Sequence, residues 1–169
     1  MKTNHLHLIF ILLSLRLVAF SQNTLLPGVG LCTLQGNSIN ASDLPLNDQT
    51  LWLFFWNIDD RESLEQMREL GDSHNFLKER NVKVIGICTS SSGITGKIHP
   101  LISALGIDFD VFIDKNNEFR RAMNVPDGPF TLLIAQSGDM SRHACAGTIL
   151  FEQMDLPSQS RLASTESKK

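Results

Sequence analysis

The chain has 169 residues, of which 42% are hydrophobic and 20% are charged, with a formal net charge of −3. This composition is typical of a globular domain and argues against a fibrous or wholly disordered protein. Acidic residues outnumber basic ones and no basic cluster is visible, which argues against nucleic acid as a partner, because phosphate binding needs a concentrated basic face.

The first residues have the pattern of a secretory signal peptide. Lys2 lies near the start of the chain, and a largely apolar run from Leu6 to Phe20 follows, interrupted by the charged Arg16. Small residues, Ala19 and Ser21, occupy the two positions that a signal peptidase reads. The uncharged part of the run is far shorter than the ~20 apolar residues of a membrane span. We therefore expect cleavage, with no stable membrane span afterwards.

The sequence divides into three predicted segments: a signal peptide at residues 1–21, one folded domain at 22–156 and a disordered polar tail at 157–169. No internal repeat or low-complexity linker divides the middle segment. The expected location is the periplasm or the extracellular space.

The first half of the domain alternates between strand and helix patterns. Residues 29–39 are typical of a hairpin, because Gly-Asn in "LQGNSIN" separates two extended pieces. The apolar run from Leu51 to Ile58 is too short for a buried helix and favours a central strand covered on both faces. Apolar residues at three- and four-residue spacing then predict a helix from Glu62 to Arg80. Residues 82–90 predict a second strand.

The second half continues the alternation. The pattern predicts a short helix around residues 99–105, a strand at 109–114 and a helix at 116–125. A hairpin follows, with strands at 130–135 and 141–146 around a Gly-Asp turn. Two strands joined by a crossover helix must be parallel, whereas the last hairpin adds antiparallel strands. The predicted fold class is α/β, a three-layer α/β/α sandwich with a central mixed sheet.

The folded domain contains three cysteines, Cys32, Cys88 and Cys145. An odd number leaves at least one thiol free or paired outside the chain, and the pairing among the three stays open. Cys88 ends a strand at the edge where ligand sites of α/β sheets gather, so it is either a reactive thiol or a small buried hydrophobe. The histidines show no metal-ligand spacing. We predict no metal and no cofactor.

Five segments follow one another along the domain: "FFWNIDDRESLEQM", "VKVIGICTS", "FDVFIDKNNEFRRAMNV", "GPFTLLI" and "SGDMSRHACAG". In order and spacing they resemble the thioredoxin-like thiol-disulfide oxidoreductases of the bacterial envelope, the TlpA/ResA and redoxin (AhpC/TSA) type. The resemblance covers about residues 25–150 and implies a thioredoxin-like fold with an N-terminal hairpin extension. In that family a cis-proline faces the redox motif, which implies a cis bond before Pro129.

The redox motif of that family is degenerate in this chain. The family reads Phe-Trp, three residues and then Cys-Pro-x-Cys, and the same count here gives Asp60-Arg61-Glu62-Ser63. Without two sulfurs no thiolate can attack a disulfide and no second thiol can resolve the product, so neither Asp60 nor Ser63 is predicted to be catalytic. We expect Asp60 or its neighbour Asp59 to cap the following helix. The alternative is a carboxylate that binds a ligand or acts as a base.

These observations predict a non-catalytic peptide- or protein-binding accessory module. In the family the proline loop pairs with an extended peptide, which makes Trp56, Gly128, Pro129 and Phe130 the expected binding residues. The other reading of this loop is that it serves only packing. The alternative function is a thiol-dependent oxidoreductase or peroxidase of antioxidant type, with Cys88 as the relocated nucleophile and Cys145 or Cys32 as the resolving thiol.

Overall fold

The structure, a computed structural model, describes residues 25–46, 48–90 and 95–144. The predicted signal peptide, Cys145 and the polar tail lie outside these residues. Among the described residues, no helix combines the length and the apolar character that crossing a bilayer requires.

A mixed sheet of seven strands runs through the described part of the chain. The strands are β1 (Gly30–Thr33), β2 (Ser38–Asn40), β3 (Thr50–Trp56), β4 (Val82–Cys88), β5 (Asp110–Ile113), β6 (Phe130–Ile134) and β7 (Met140–Ala144). Their spatial order is β2-β1-β5-β4-β3-β6-β7. β3, β4 and β5 are parallel, whereas β1 and β6 run antiparallel to both of their neighbours. The predicted parallel pair and both predicted hairpins are confirmed.

β3 lies at the centre of the fold, and every one of its residues is buried. Trp52 and Trp56 belong to the hydrophobic core on one face of the sheet, and Leu53 and Phe55 to the core on the other. Successive side chains of a strand point to opposite faces, so a strand covered on both faces must be apolar throughout. This explains the unbroken apolar run in the sequence.

Helices cover both faces of the sheet. On one face α1 (Arg61–Glu79) and α2 (Thr95–Ala104) contribute buried side chains to the core around Trp52. On the other face lie α3 (Glu118–Ala122) and a short 3-10 helix at Ala41–Asp43. The predicted three layers are therefore present.

Two helices differ in length from the predictions. α2 begins at Thr95 rather than near residue 99, because Ile98 is buried and its packing outweighs the poor helix propensity of Gly96. α3 is confined to Glu118–Ala122, since Asn117 and Asn124 on either side of it have positive φ angles of 55° and 51°. A right-handed helix cannot continue through residues in that conformation.

Gly86 lies in β4, where the sheet packs against α1. A Cβ atom there would lie 3.1 Å from Met67 Cε and 3.3 Å from both Trp56 Nε1 and Val111 Cγ2. Trp56 has no room to retreat, because it is completely buried. The missing side chain at Gly86 therefore makes space for the tryptophan that ends β3.

Substitution Gly86→Ala should lower the free energy of unfolding by about 1–3 kcal/mol, because the added methyl group overfills a packed core. Urea denaturation followed by tryptophan fluorescence measures the change. Gly96→Ala in α2 is the matched control, since among the described residues no atom outside its own stretch of helix lies within 4 Å of its Cβ position. The control should keep the wild-type stability or gain up to about 1 kcal/mol. Equal stability of Gly86→Ala and wild type would contradict the packing argument.

Candidate functional site

Four chain segments meet at one edge of the sheet. The parallel strands β3, β4 and β5 end there, and β6 begins there because Phe130 pairs with Phe55 in antiparallel register. This register sets Pro129 beside Trp56. The segment before β6, residues 123–129, is called the proline loop below, and it adjoins the loop between β3 and α1. Edges of this kind are where open α/β sheets place their ligand sites.

Asp60 is the N-cap residue of α1. Its backbone is extended, and its carboxylate accepts hydrogen bonds from the N–H groups of Glu62 (3.3 Å) and Ser63 (3.1 Å). The Ser63 hydroxyl, which is fully buried, donates to the same carboxylate at 2.6 Å. Backbone donors at the start of a helix have no partner within it, and Asp60 supplies one. The predicted helix cap is confirmed, and it is Asp60 rather than the exposed Asp59.

The surroundings of Asp60 favour its ionised form. The hydrogen bond from the Ser63 hydroxyl is the largest influence holding the pKa of Asp60 below its usual value. Desolvation is the next largest influence and opposes it, while the backbone N–H groups of Ser63 and Glu62 lower this pKa further. The negative charge faces the positive end of the helix dipole. The position at which this helix could stabilise an anion is thus filled by a carboxylate of the protein itself.

A polar network that was not predicted from the sequence fastens the loop between β3 and α1 to the end of β4. The hydroxyl of Ser90, a buried residue, donates to Asn57 Oδ1 (2.8 Å) and accepts from the Ile58 N–H (2.9 Å). The N–H and the hydroxyl of Thr89 both donate to the Trp56 carbonyl, at 2.8 and 3.1 Å. One feature of the sequence could have indicated this network: Asn57 is the single polar residue in the otherwise apolar run 51–58.

Cys88 is fully buried at the end of β4. Burial raises the pKa of its thiol, and the contact between Cys88 Sγ and the Ser90 hydroxyl (3.3 Å) is a smaller, opposing influence. The thiolate is the nucleophilic form of cysteine, so a buried thiol with a raised pKa is a poor nucleophile. Cys88 therefore contributes to the core as a small hydrophobic residue.

Cys32 and Cys88 are both free thiols. They lie on opposite sides of β5, where each pairs with Ile113. Two strand spacings, about 10 Å, therefore separate their backbones. A disulfide requires Cα atoms less than about 7 Å apart, so this fold does not allow a bond between Cys32 and Cys88.

The expected binding residues differ in accessibility. Gly128 is exposed and Pro129 is half-buried, whereas Phe130 and Trp56 are buried. The indole N–H of Trp56 is also buried and has no hydrogen-bond partner in the described part of the chain. Contact with a partner through the Trp56 side chain would require the edge to open.

The prediction of a cis peptide bond before Pro129 is wrong. Gly128 and Pro129 are among the described residues, in which every peptide bond is trans. The chain turns instead at Gly128, whose φ angle is +93°. Glycine adopts this conformation without steric penalty, so the turn forms without a cis bond.

A sequence profile of the AhpC/TSA family matches residues 22–148, which is most of the chain. The chain belongs to the AhpC/TSA family. No curated protein has a significant sequence match to it.

Three solved structures illustrate the likeness of this family member to known folds. An uncharacterized thioredoxin-like protein from Porphyromonas gingivalis has 20% identity and a TM-score of 0.64, over 86% of this chain and 95% of the other. A secreted Mycobacterium tuberculosis disulfide oxidoreductase homologous to Escherichia coli DsbE has 16% identity and a TM-score of 0.60, over 75% and 89%. The thioredoxin domain of a Bacteroides vulgatus thiol-disulfide oxidoreductase has 14% identity and a TM-score of 0.61, over 79% and 95%. The predicted thioredoxin-like fold and redoxin family are confirmed.

Substitution Asp60→Ala should lower the free energy of unfolding at pH 7 by about 1 kcal/mol, because the helix start loses its cap. The folded-state pKa of Asp60 is lowered. Its stabilising contribution is therefore present above the unfolded-state pKa and is lost as the pH falls through the folded-state value. The difference between wild type and Asp60→Ala should shrink below about pH 4.

Urea denaturation between pH 7 and pH 3 measures this dependence. Asp59→Ala is the matched control, because that carboxylate is exposed and the cap belongs to its neighbour. A difference between wild type and Asp60→Ala that stays constant across the pH range would contradict the proposed role of the charge.

Proposed function

We propose that this protein is an exported, non-catalytic relative of the thiol-disulfide oxidoreductases that binds an extended peptide or a partner protein beside the proline loop. One observation carries the proposal: the start of α1 is closed by the Asp60 carboxylate and the Ser63 hydroxyl, which carry no sulfur. These are the positions at which the family resemblance expects the two cysteines.

The chemistry of the helix start supports a loss of redox activity. A reactive thiolate at such a site depends on the free N–H groups and the dipole of the helix, and here Asp60 already binds those groups. The terminal oxygens of Asp60 and Ser63 are in contact at 2.6 Å. The two residues lie three positions apart at the start of α1, so their side chains are on the same side of its first turn. The side chains at positions 60 and 63 are thus in contact although neither carries a sulfur.

No observation favours the alternative in which Cys88 is a relocated nucleophile. Its thiol is buried with a raised pKa, and Cys32 cannot reach it. Cys145, the remaining candidate for a resolving thiol, lies outside the described residues.

The proline loop supports a binding role. Pro126, Asp127 and Gly128 are exposed, and among the described residues no loop or turn backbone hydrogen bond involves residues 127–129. A strand-like peptide binds by pairing with exposed backbone groups, and this pairing needs no sulfur. Because the bond before Pro129 is trans, the loop differs from the one that the family resemblance implied. The backbone groups of residues 127–129 still lie at this edge of the sheet.

Wild-type protein should reduce no insulin in the presence of dithiothreitol and consume no peroxide above a protein-free control, because the helix start has no sulfur pair. The double variant Asp60→Cys/Ser63→Cys should gain insulin reduction, since its two sulfurs would meet at the start of α1. The matched control is Asp59→Cys/Ser63→Cys, whose first sulfur lies outside the cap.

Two outcomes of these assays would count against the proposal. Wild-type turnover that disappears in Cys88→Ser would establish the alternative enzyme. A folded Asp60→Cys/Ser63→Cys variant with no more activity than its control would show that these positions are not equivalent to the redox motif.

Export rests on the leader pattern of residues 1–21, and the similar Mycobacterium tuberculosis protein is described as secreted. Expression of the full chain in a Gram-negative host should yield a periplasmic protein that begins at Gln22, because cleavage is expected after Ser21. Fractionation and intact-mass spectrometry measure this. A cytoplasmic chain that retains its leader would refute export without affecting the argument about the site.

A further inference from the structure

Three successive carbonyl groups at the start of the proline loop accept hydrogen bonds from arginine side chains. Arg142 donates from Nη1 to the Met123 carbonyl at 3.0 Å and from Nη2 to the Asn124 carbonyl. Arg120 donates from Nη1 to the Val125 carbonyl at 3.3 Å. These carbonyls follow α3, which ends at Ala122, and a cation at this end also suits the helix dipole. The two arginines thus hold the first part of the proline loop.

The same arginines also contact the residues nearest to Pro129. Arg120, of which only 17% of the side chain is exposed, forms an ion pair at 2.6 Å with Asp127, whose side chain is 96% exposed. The Arg142 guanidinium lies over the ring of Phe130, 5.4 Å from its centroid. The loop is therefore held on both sides of its exposed tip.

Arg142 and Arg120 lie on different elements of the fold. Arg120 belongs to α3, the helix that leads into the loop, and holds it through local contacts. Arg142 belongs to β7 and connects the loop to the sheet. One planar guanidinium can bind two carbonyls at a fixed spacing, whereas a lysine ammonium acts as a point charge and lacks this geometry.

We propose that Arg142 is a positioning residue that holds the proline loop in the conformation that receives an extended chain. The inference rests on the proposed binding function and assigns to Arg142 the preorganisation of that site. A loop that is ordered before binding loses less conformational freedom when its partner arrives, so affinity falls when the loop is released.

The experiment compares Arg142→Ala and Arg142→Lys with Arg121→Ala in the mature protein. Arg121 is the matched control, because it also donates to a backbone carbonyl, that of Asn116, on the side of α3 away from the loop. The probe is reduced, carboxymethylated lactalbumin, a soluble unfolded chain. Its dissociation constant is measured by calorimetry at a temperature at which circular dichroism shows every variant folded. Backbone amide NMR signals of residues 124, 125, 127 and 128 report on the loop.

Wild type should bind the probe with changes in the loop signals. Arg142→Ala should weaken binding by about five- to tenfold and Arg142→Lys by about two- to threefold, while Arg121→Ala should remain within twofold of wild type. A residue that only stabilised the fold would change the unfolding free energy and leave the dissociation constant of the folded protein unaltered.

The possible failures can be told apart. If wild type binds the probe at the loop and Arg142→Ala binds it equally well, the role of Arg142 is overturned and the binding function stands. If folded wild type does not bind the probe, or binds it without any change at residues 124–128, the binding function fails and the inference fails with it. Should Arg142→Ala not fold, an unchanged dissociation constant for Arg142→Lys would overturn the inference.

Discussion

The burial of β3 on both faces is the constraint on which the rest of the structure depends. A strand without a solvent-facing side needs a cover on each side, and α1 with α2 supplies one while α3 supplies the other. The same constraint determines where polar chemistry can begin. Asn57 is the first polar residue after the strand, and it lies at the sheet edge where the proline loop also arrives. The position of the candidate site is thus determined by the point at which the buried strand ends.

Under the proposed function, Asp60 accounts for a helix start that is stable without a sulfur pair. Every helix start presents N–H groups that need an acceptor, and a carboxylate meets that need as well as a thiolate does. Family membership and fold describe the scaffold, whereas any reaction depends on a few side-chain atoms where β3 leads into α1. At the start of α1 in this member of the AhpC/TSA family, the side-chain atoms of Asp60 and Ser63 that meet are oxygens.

Local chemistry was predictable from the sequence, and contacts distant along the chain were not. The run that forms β3 and the cap at Asp60 depend on neighbouring residues, so the pattern was sufficient for both. The bond from Ser90 to Asn57 joins residues that are 33 positions apart, and no spacing rule indicates it. The length of α3 depends on the positive φ angles of Asn117 and Asn124, and the loop after it is held by an arginine from β7. The trans bond before Pro129 departs from the family because Gly128 makes the turn instead.

The arrangement of Cys32 and Cys88 around Ile113 has a consequence for the environment in which the protein folds. Exported domains of modest size commonly rely on cross-links that form only where oxidants are present. Neither of these two thiols is bridged, and the seven strands around them are held by packing and backbone hydrogen bonds. Reducing conditions therefore have no bond between Cys32 and Cys88 to break, and the described sheet does not depend on one.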